Sequence, residues 1–202
     1  KNRPTADVHR RLMRTIAHEL RTPLTAIVGH SDILASCSIE DEQLWRRSQQ
    51  FIAHEAERLT RLVEDLLTFS RLDLDAVSLA PINLAIVAEE TLSSLWQSAE
   101  KRHITLALQS PPGLPRVRGN ADRLRQVLVN LVDNGVKYTA AGGRVTVRLT
   151  PDQAQQRMRV EVSDTGMGIP AADLPHIFEP LFRSERARRA APGTGLGLTI
   201  VR

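Results

Sequence analysis

The 202-residue chain is 42% hydrophobic and 25% charged, with a formal net charge of +4, a composition that excludes a disordered or fibrous protein. Aromatic residues make up only 3%, too few to build a stacking surface for unpaired bases. Cys37 is the only cysteine, so an intramolecular disulfide and a cysteine-rich metal site are excluded, in keeping with a reducing compartment. No apolar run of about 18 residues occurs, and residues 1–30 lack the apolar core of a signal peptide. The chain is therefore expected to be soluble, with any membrane anchor lying upstream of Lys1.

From Val8 onward, Leu12, Ile16, Leu20, Leu24, Ile27 and Leu34 recur at near-helical spacing and predict a long amphipathic helix. A break is expected at Ser36–Asp41. Leu44, Phe51, Ile52, Leu59, Leu62, Val63, Leu66 and Phe69 predict a second helix of similar length. One such hairpin cannot cover its own apolar stripe, so pairing of two chains into a four-helix bundle is expected. The segment Asp73–Pro81 is the expected domain boundary, dividing the chain into residues 1–75 and 76–202. Beyond it, a helix is predicted over Leu84–Lys101 and strands over Ile104–Gln109, Arg144–Thr150 and Arg157–Ser163. The last two are expected to flank a polar loop containing Pro151 and Asp152. Asn120 or Asp122 can cap a helix running to about Lys137. The second part therefore reads as an α+β sandwich, a mixed sheet with helices on one face.

The motif HELRTPL occupies residues 18–24. Thr22 is four residues after His18 and shares its helical face, whereas Glu19 points about a quarter turn away and must lean back to reach the imidazole. If Glu19 holds the Nδ1–H, the Nε2 lone pair is free to attack phosphorus. Pro23 deprives the Glu19 carbonyl of its helical donor within one turn of His18. The plainer alternative is a packing helix kinked by Pro23 with a solvated His18. A zinc protease is excluded, because the residue four positions after His18 is Thr22 and the one four after His54 is Arg58.

Three further groups of residues point to a nucleotide. Asn130 and Asn134 project from one helical face with Lys137 three residues on, an arrangement that suits Mg²⁺ on a triphosphate or a purely structural asparagine pair. In DTGMG at 164–168, Gly166 and Gly168 allow close backbone approach to a flat ring, and Asp164 offers an acceptor to the exocyclic amine of adenine. A plain turn at a strand end is the alternative. In GTGLGL at 193–198, glycines precede an apolar run where a helix is expected to begin. The spacing does not match a Walker P-loop, and the run follows a lid-like loop instead of a strand, which argues against a Rossmann site. Arg183, Arg186, Arg188 and Arg189 form the densest basic run, fitted to a nucleotide phosphate or to a solvated loop. No basic recognition helix is found, so no nucleic-acid partner is expected, although the sequence pI is near 10.0.

Taken in order, HELRTPL, NLVDNGVKYT at 130–139, DTGMG, FEPLFR at 178–183 and GTGLGL resemble the catalytic core of a sensor histidine kinase. The resemblance spans nearly the whole chain and implies ATP-dependent phosphorylation of His18, then transfer to an aspartate in the receiver domain of a cognate response regulator. It implies a homodimer through the hairpin and Thr22 as a residue that positions water for dephosphorylation of the regulator. By the same resemblance Asn134 is the principal Mg²⁺ ligand, Asn130 assists, Lys137 and Tyr138 flank the phosphates and base, and Asp164 reads adenine. Phe178 through Arg183 would anchor a mobile lid, expected to be disordered without nucleotide up to Pro192, and Gly193, Thr194, Gly195, Leu196 and Gly197 would lie along the nucleotide. Related ATPases carry a water-activating glutamate where this chain has Asn130, so hydrolysis is expected to be slow. The family continues beyond the helix that begins near Gly197 into more helix and two strands, so the ATP-binding domain is expected to be incomplete at Arg202. The implied setting is the cytoplasmic portion of a membrane-anchored bacterial sensor. The competing functional reading is a dimeric scaffold without turnover.

Overall fold

A computed structural model describes residues 3–36, 41–72 and 78–201. The chain forms two compact units, one of residues 1–73 with 192–196, the other of residues 74–191 with 197–202. Cys37, most of the expected interhelical break and the expected domain boundary at 75/76 lie outside the described residues. No helix among the described residues is long and apolar enough to cross a membrane.

The first unit is a hairpin of α1 (Arg3–Ser36) and α2 (Glu42–Leu72). Ile16 and Leu62 are buried, and Pro23 is fully buried although α1 continues through it. His30 on α1 meets α2 twice, with Nδ1 3.1 Å from the Ser48 hydroxyl and its ring stacked on Phe51 at 4.2 Å. The predicted apolar stripe is only partly covered. Leu24, placed on that stripe by its spacing, is 55% exposed, and Val28, Trp45, Val63 and Leu67 are exposed with it.

In the second unit, α3 (Leu84–Lys101) starts at Asn83, whose side chain accepts the Ala85 N–H at 3.0 Å. It ends where His103 adopts a positive φ of 56°. The His103 and Ile104 N–H groups then close back onto the carbonyls of Glu100 and Ala99, the pairing of a Schellman motif. Helix α4 (Ala121–Tyr138) is capped by Asn120, which accepts the Arg123 N–H at 3.0 Å, so of the two predicted caps the asparagine is used. Arg125 ties α4 to α3 through Glu90 at 2.5 Å, a contact that raises its guanidinium pKa above the ordinary value.

The sheet has the order β2-β4-β5, with β2 (Thr105–Gln109) parallel to β4 (Arg144–Asp152) and β4 antiparallel to β5 (Arg157–Asp164). Strict alternation along β4 buries Val145, Val147 and Leu149 in one core with Val87, Ala88, Leu128, Val132 and Val136 from α3 and α4. The opposite face carries Arg148 paired with Glu161 and Gln109. A second ribbon, β1 (Ala80–Ile82) with β3 (Val117–Gly119), pairs antiparallel. Leu149 is 1% exposed, so Leu149→Ala is expected to cost about 2–5 kcal/mol, checked by urea unfolding.

Two expectations fail in this unit. Pro151 and Asp152 are not in a loop; they are the last residues of β4, opposite Met158 and Arg157. Because β2 pairs with β4 only as far as Arg148, the strand has an open edge there, and a proline without an N–H is tolerated. The segment expected to be disordered carries a helix, α5 (Glu185–Ala190). Ser184 caps it by accepting the Ala187 N–H at 3.1 Å, and Glu185 pairs with Arg189. Alanine and arginine are both strong helix formers, so the composition read as a loop favours a turn of helix.

Candidate active site

His18 is exposed on α1. Thr22, one turn on, donates its hydroxyl to the His18 carbonyl at 3.3 Å, a back-bond that competes with the regular ladder just before Pro23. Glu19 is not on the imidazole. Its Oε2 accepts from Arg58 Nη2 on α2 at 3.3 Å, while Arg58 Nη1 donates to Glu55 Oε2 at 3.3 Å. Arg58 is a functional candidate that the sequence pattern did not single out, because it lies 39 residues from Glu19.

Asn130 and Asn134 are both half-buried on α4. Asn130 Oδ1 accepts from Gln126 at 3.4 Å, and its Nδ2 is buried without a hydrogen-bond partner. Asn134 makes no side-chain hydrogen bond to the described residues. A buried amide N–H left unpaired costs about 1–3 kcal/mol, so Asn130 Nδ2 is fitted to an acceptor that arrives from outside the chain. A Cβ on Gly197, the first residue of α6 (Gly197–Val201), would lie 3.8 Å from that amide. Lys137, expected beside phosphates, has its Nζ 2.5 Å from Asp133 one turn back.

The C-terminus of α4 abuts the DTGMG turn at the end of β5. Asp164 Oδ1 accepts the Gly166 N–H at 2.8 Å, and the half-buried Tyr138 uses its carbonyl to accept the Met167 N–H at 3.2 Å. Only glycine fits at 166, since a Cβ would come 2.5 Å from that carbonyl oxygen. Gly135 plays the matching part inside the helix, where a Cβ would come 2.9 Å from both Val145 methyls. Asp164 is exposed at the turn, and Gly168 beyond it has a φ of 65°. Thr139, the last residue of the NLVDNGVKYT motif, places a buried and unpartnered hydroxyl at this junction. Its place within that motif was the available signal.

The remaining predicted residues are more dispersed. Phe178 is 38% exposed, and Arg183 caps α5 by donating to the carbonyls of Ala187 at 2.8 Å and of Ala191. Gly193, Thr194, Gly195 and Leu196 group with the first unit. There the Leu196 N–H bonds Thr194 Oγ1 at 3.3 Å, Gly195 has a φ of 77°, and the Leu196 side chain is buried. Among the described residues no three His, Cys, Asp or Glu side chains gather as metal ligands. A groove of about 1000 Å³ lined by Leu79, Val117, Leu124, Met158 and Val160 contains none of the predicted site residues.

An exposed histidine on a helical hairpin and, in the second unit, a glycine turn against an asparagine-bearing helix define a phosphoacceptor domain followed by an ATPase-type nucleotide-binding domain. Residues 8–75 match the His Kinase A (phospho-acceptor) domain, and residues 119–202 match the histidine kinase-, DNA gyrase B- and HSP90-like ATPase. The chain belongs to the sensor histidine kinases. It is 36% identical over 197 residues to drug sensory protein A of Synechocystis, covering 93% of this chain and 30% of the relative. It is 31% identical over 195 residues to sensor histidine kinase WalK of Bacillus subtilis, covering 96% and 32%. The chain thus spans about a third of the length of these curated relatives. Among solved structures, Acinetobacter baumannii histidine kinase AdeS matches at TM-score 0.67 and 27% identity, covering 91% of this chain and 83% of that one. Full-length ShkA in complex with AMPPNP matches at TM-score 0.63 and 30% identity, covering 95% and 39%. The fold is also shared with ThkA, solved with the response regulator protein TrrA, at TM-score 0.76 and 22% identity, covering 94% and 56%.

Proposed function

We propose that this chain is the catalytic core of a protein-histidine kinase that phosphorylates His18 from ATP and passes the phosphoryl group to an aspartate of a response regulator. The reading is carried by the orphaned Asn130 amide on α4, the helix whose C-terminus meets a turn in which Gly166 leaves no room for a side chain. Residues 1–75 act as the dimerisation and phosphoacceptor part and residues 76–202 as the nucleotide-binding part. The exposed Leu24, Val28, Trp45, Val63 and Leu67 of the hairpin support pairing with a second copy.

Asn134, with Asn130, would hold Mg²⁺, and both offer the hard amide oxygens that this ion takes alongside waters. When bound, Mg²⁺ neutralises charge on the triphosphate. Asp164 accepts from the adenine amine, and the Tyr138–Gly166 junction keeps the backbone flat beside the base. His18, neutral and protonated at Nδ1, attacks the γ-phosphorus through Nε2. As the N–P bond forms, the bond to the ADP oxygen breaks and ADP leaves. Glu19 takes the Nδ1 proton after it has turned from Arg58 to the imidazole. Asn130 cannot activate water as a carboxylate could, which preserves the γ-phosphate for His18. The transfer needs the histidine and the nucleotide to be brought to reacting distance.

The test is incubation of the intact protein with γ-labelled ATP and Mg²⁺, scoring acid-labile, base-stable label. Label on the chain supports the kinase, whereas ATP binding without label supports the scaffold. Thr22 is exposed four residues after His18, which favours a second activity, dephosphorylation of the regulator. Thr22→Ala is expected to slow that dephosphorylation about tenfold or more, within the range for one positioned polar group, and to leave His18 labelling intact. An unchanged rate of release from the phosphorylated regulator would remove Thr22 from that role.

A further inference from the structure

We propose that Arg58 is a positioning residue that holds the Glu19 carboxylate away from His18, so that opening of the Glu19–Arg58 pair precedes phosphoryl transfer. The inference rests on the reading of His18 as phosphoacceptor given above. Arg58 on α2 bridges two carboxylates, Glu19 on α1 and Glu55 on α2, with both N···O distances at 3.3 Å. Glu55 has a side chain only 12% exposed and lies one turn before Arg58, so it pins the guanidinium to α2. Glu19 is the member that can leave.

Its freedom matters because of where it starts. Consecutive residues of a helix are about 100° apart, so the Glu19 side chain that reaches across to α2 points away from the imidazole of His18. It cannot accept the Nδ1–H from that position. The cation beside Glu19 also opposes the positive charge that develops on the ring when Nε2 attacks, so the pair as it stands stabilises the resting state over the transition state. The pair is weak enough to open. Both partners are more than 30% exposed and their contact is at the long end of the hydrogen-bond range.

In the intact protein, Arg58→Gln is expected to raise the autophosphorylation rate at saturating ATP about twofold to fivefold, the factor set by an ion pair of this exposure, with KM for ATP unchanged. The acceleration is expected to vanish in the Arg58→Gln, Glu19→Gln double variant, because Arg58 acts only through Glu19. Arg58→Met, which keeps the aliphatic stem, is expected to repeat the result and replaces Arg58→Gln if that variant does not fold. A second readout does not need the kinase to turn over. The ¹⁵N shift of His18 Nδ1 is expected to move towards its hydrogen-bonded value in Arg58→Gln and to stay in place in the double variant. A slower folded Arg58 variant, equal acceleration without Glu19, or an unmoved ¹⁵N shift overturns the proposal. Absence of label on the parent protein, together with a moved shift, would instead sink the phosphoacceptor reading and leave the Glu19–Arg58 linkage standing.

Discussion

His18→Gln is expected to reduce acid-labile phosphate on the protein to background while ATP binding and thermal stability stay within error of the parent. His18 is exposed, and no side-chain partner of it exists among the described residues, so its replacement opens no cavity and orphans no buried group. Glutamine keeps hydrogen-bonding capacity but has no lone pair of comparable nucleophilicity on nitrogen, so the covalent step is lost outright. The comparison is made by labelling with γ-labelled ATP beside calorimetric ATP titration of both proteins. Residual label at another histidine would show that His18 is not the acceptor. His30 is the instructive control, because its ring is stacked on Phe51 and bonded to Ser48. His30→Gln is expected to lower stability by about 1 kcal/mol and leave labelling in place.

Much of this architecture was legible because the responsible interactions are local. The Leu84–Lys101 helix is bounded in sequence by Asn83 and in structure by its cap, and the β-branched alternation of Val145 and Val147 with Leu149 marks a half-buried strand. The ribbon of β1 and β3 was not foreseen, since three residues each, one of them Pro81, carry too little periodicity to register. The Lys137–Asp133 pair was readable in principle from its i,i+4 spacing, but the same lysine beside Asn134 fits a phosphate equally well in sequence. The Glu19–Arg58 contact was not readable, because nothing local links residues on two helices until the hairpin sets their register. The candidate nucleotide site divides the same way. The motifs named Asn130, Asn134, Asp164 and Gly166, whereas the orphaned Thr139 hydroxyl and the engagement of Arg183 by α5 are products of packing.

Gly166→Ala is expected to weaken ATP binding at least about tenfold, equivalent to about 1.4 kcal/mol, and to remove labelling at low ATP. The added Cβ would come 2.5 Å from the Tyr138 carbonyl oxygen, 2.7 Å from Asp164 Oδ1 and 3.0 Å from Thr139 Oγ1. The first of these atoms is main chain at the end of α4 and cannot swing aside as a side chain would. Relief requires the turn to withdraw, which breaks the Met167 N–H bond to Tyr138 and displaces Asp164 from its Gly166 N–H. The proposed adenine acceptor is then misplaced, and overpacking of this kind costs about 1–3 kcal/mol of stability. Gly168→Ala separates that effect from strain alone. Nothing lies within 4 Å of a Cβ there, and only its φ of 65° is unfavourable, worth about 1–2 kcal/mol. Calorimetric ATP titration of the two variants therefore distinguishes a base site at the Tyr138–Gly166 junction, for which Gly166→Ala is by far the worse, from a merely structural turn, for which neither changes affinity once stability is matched.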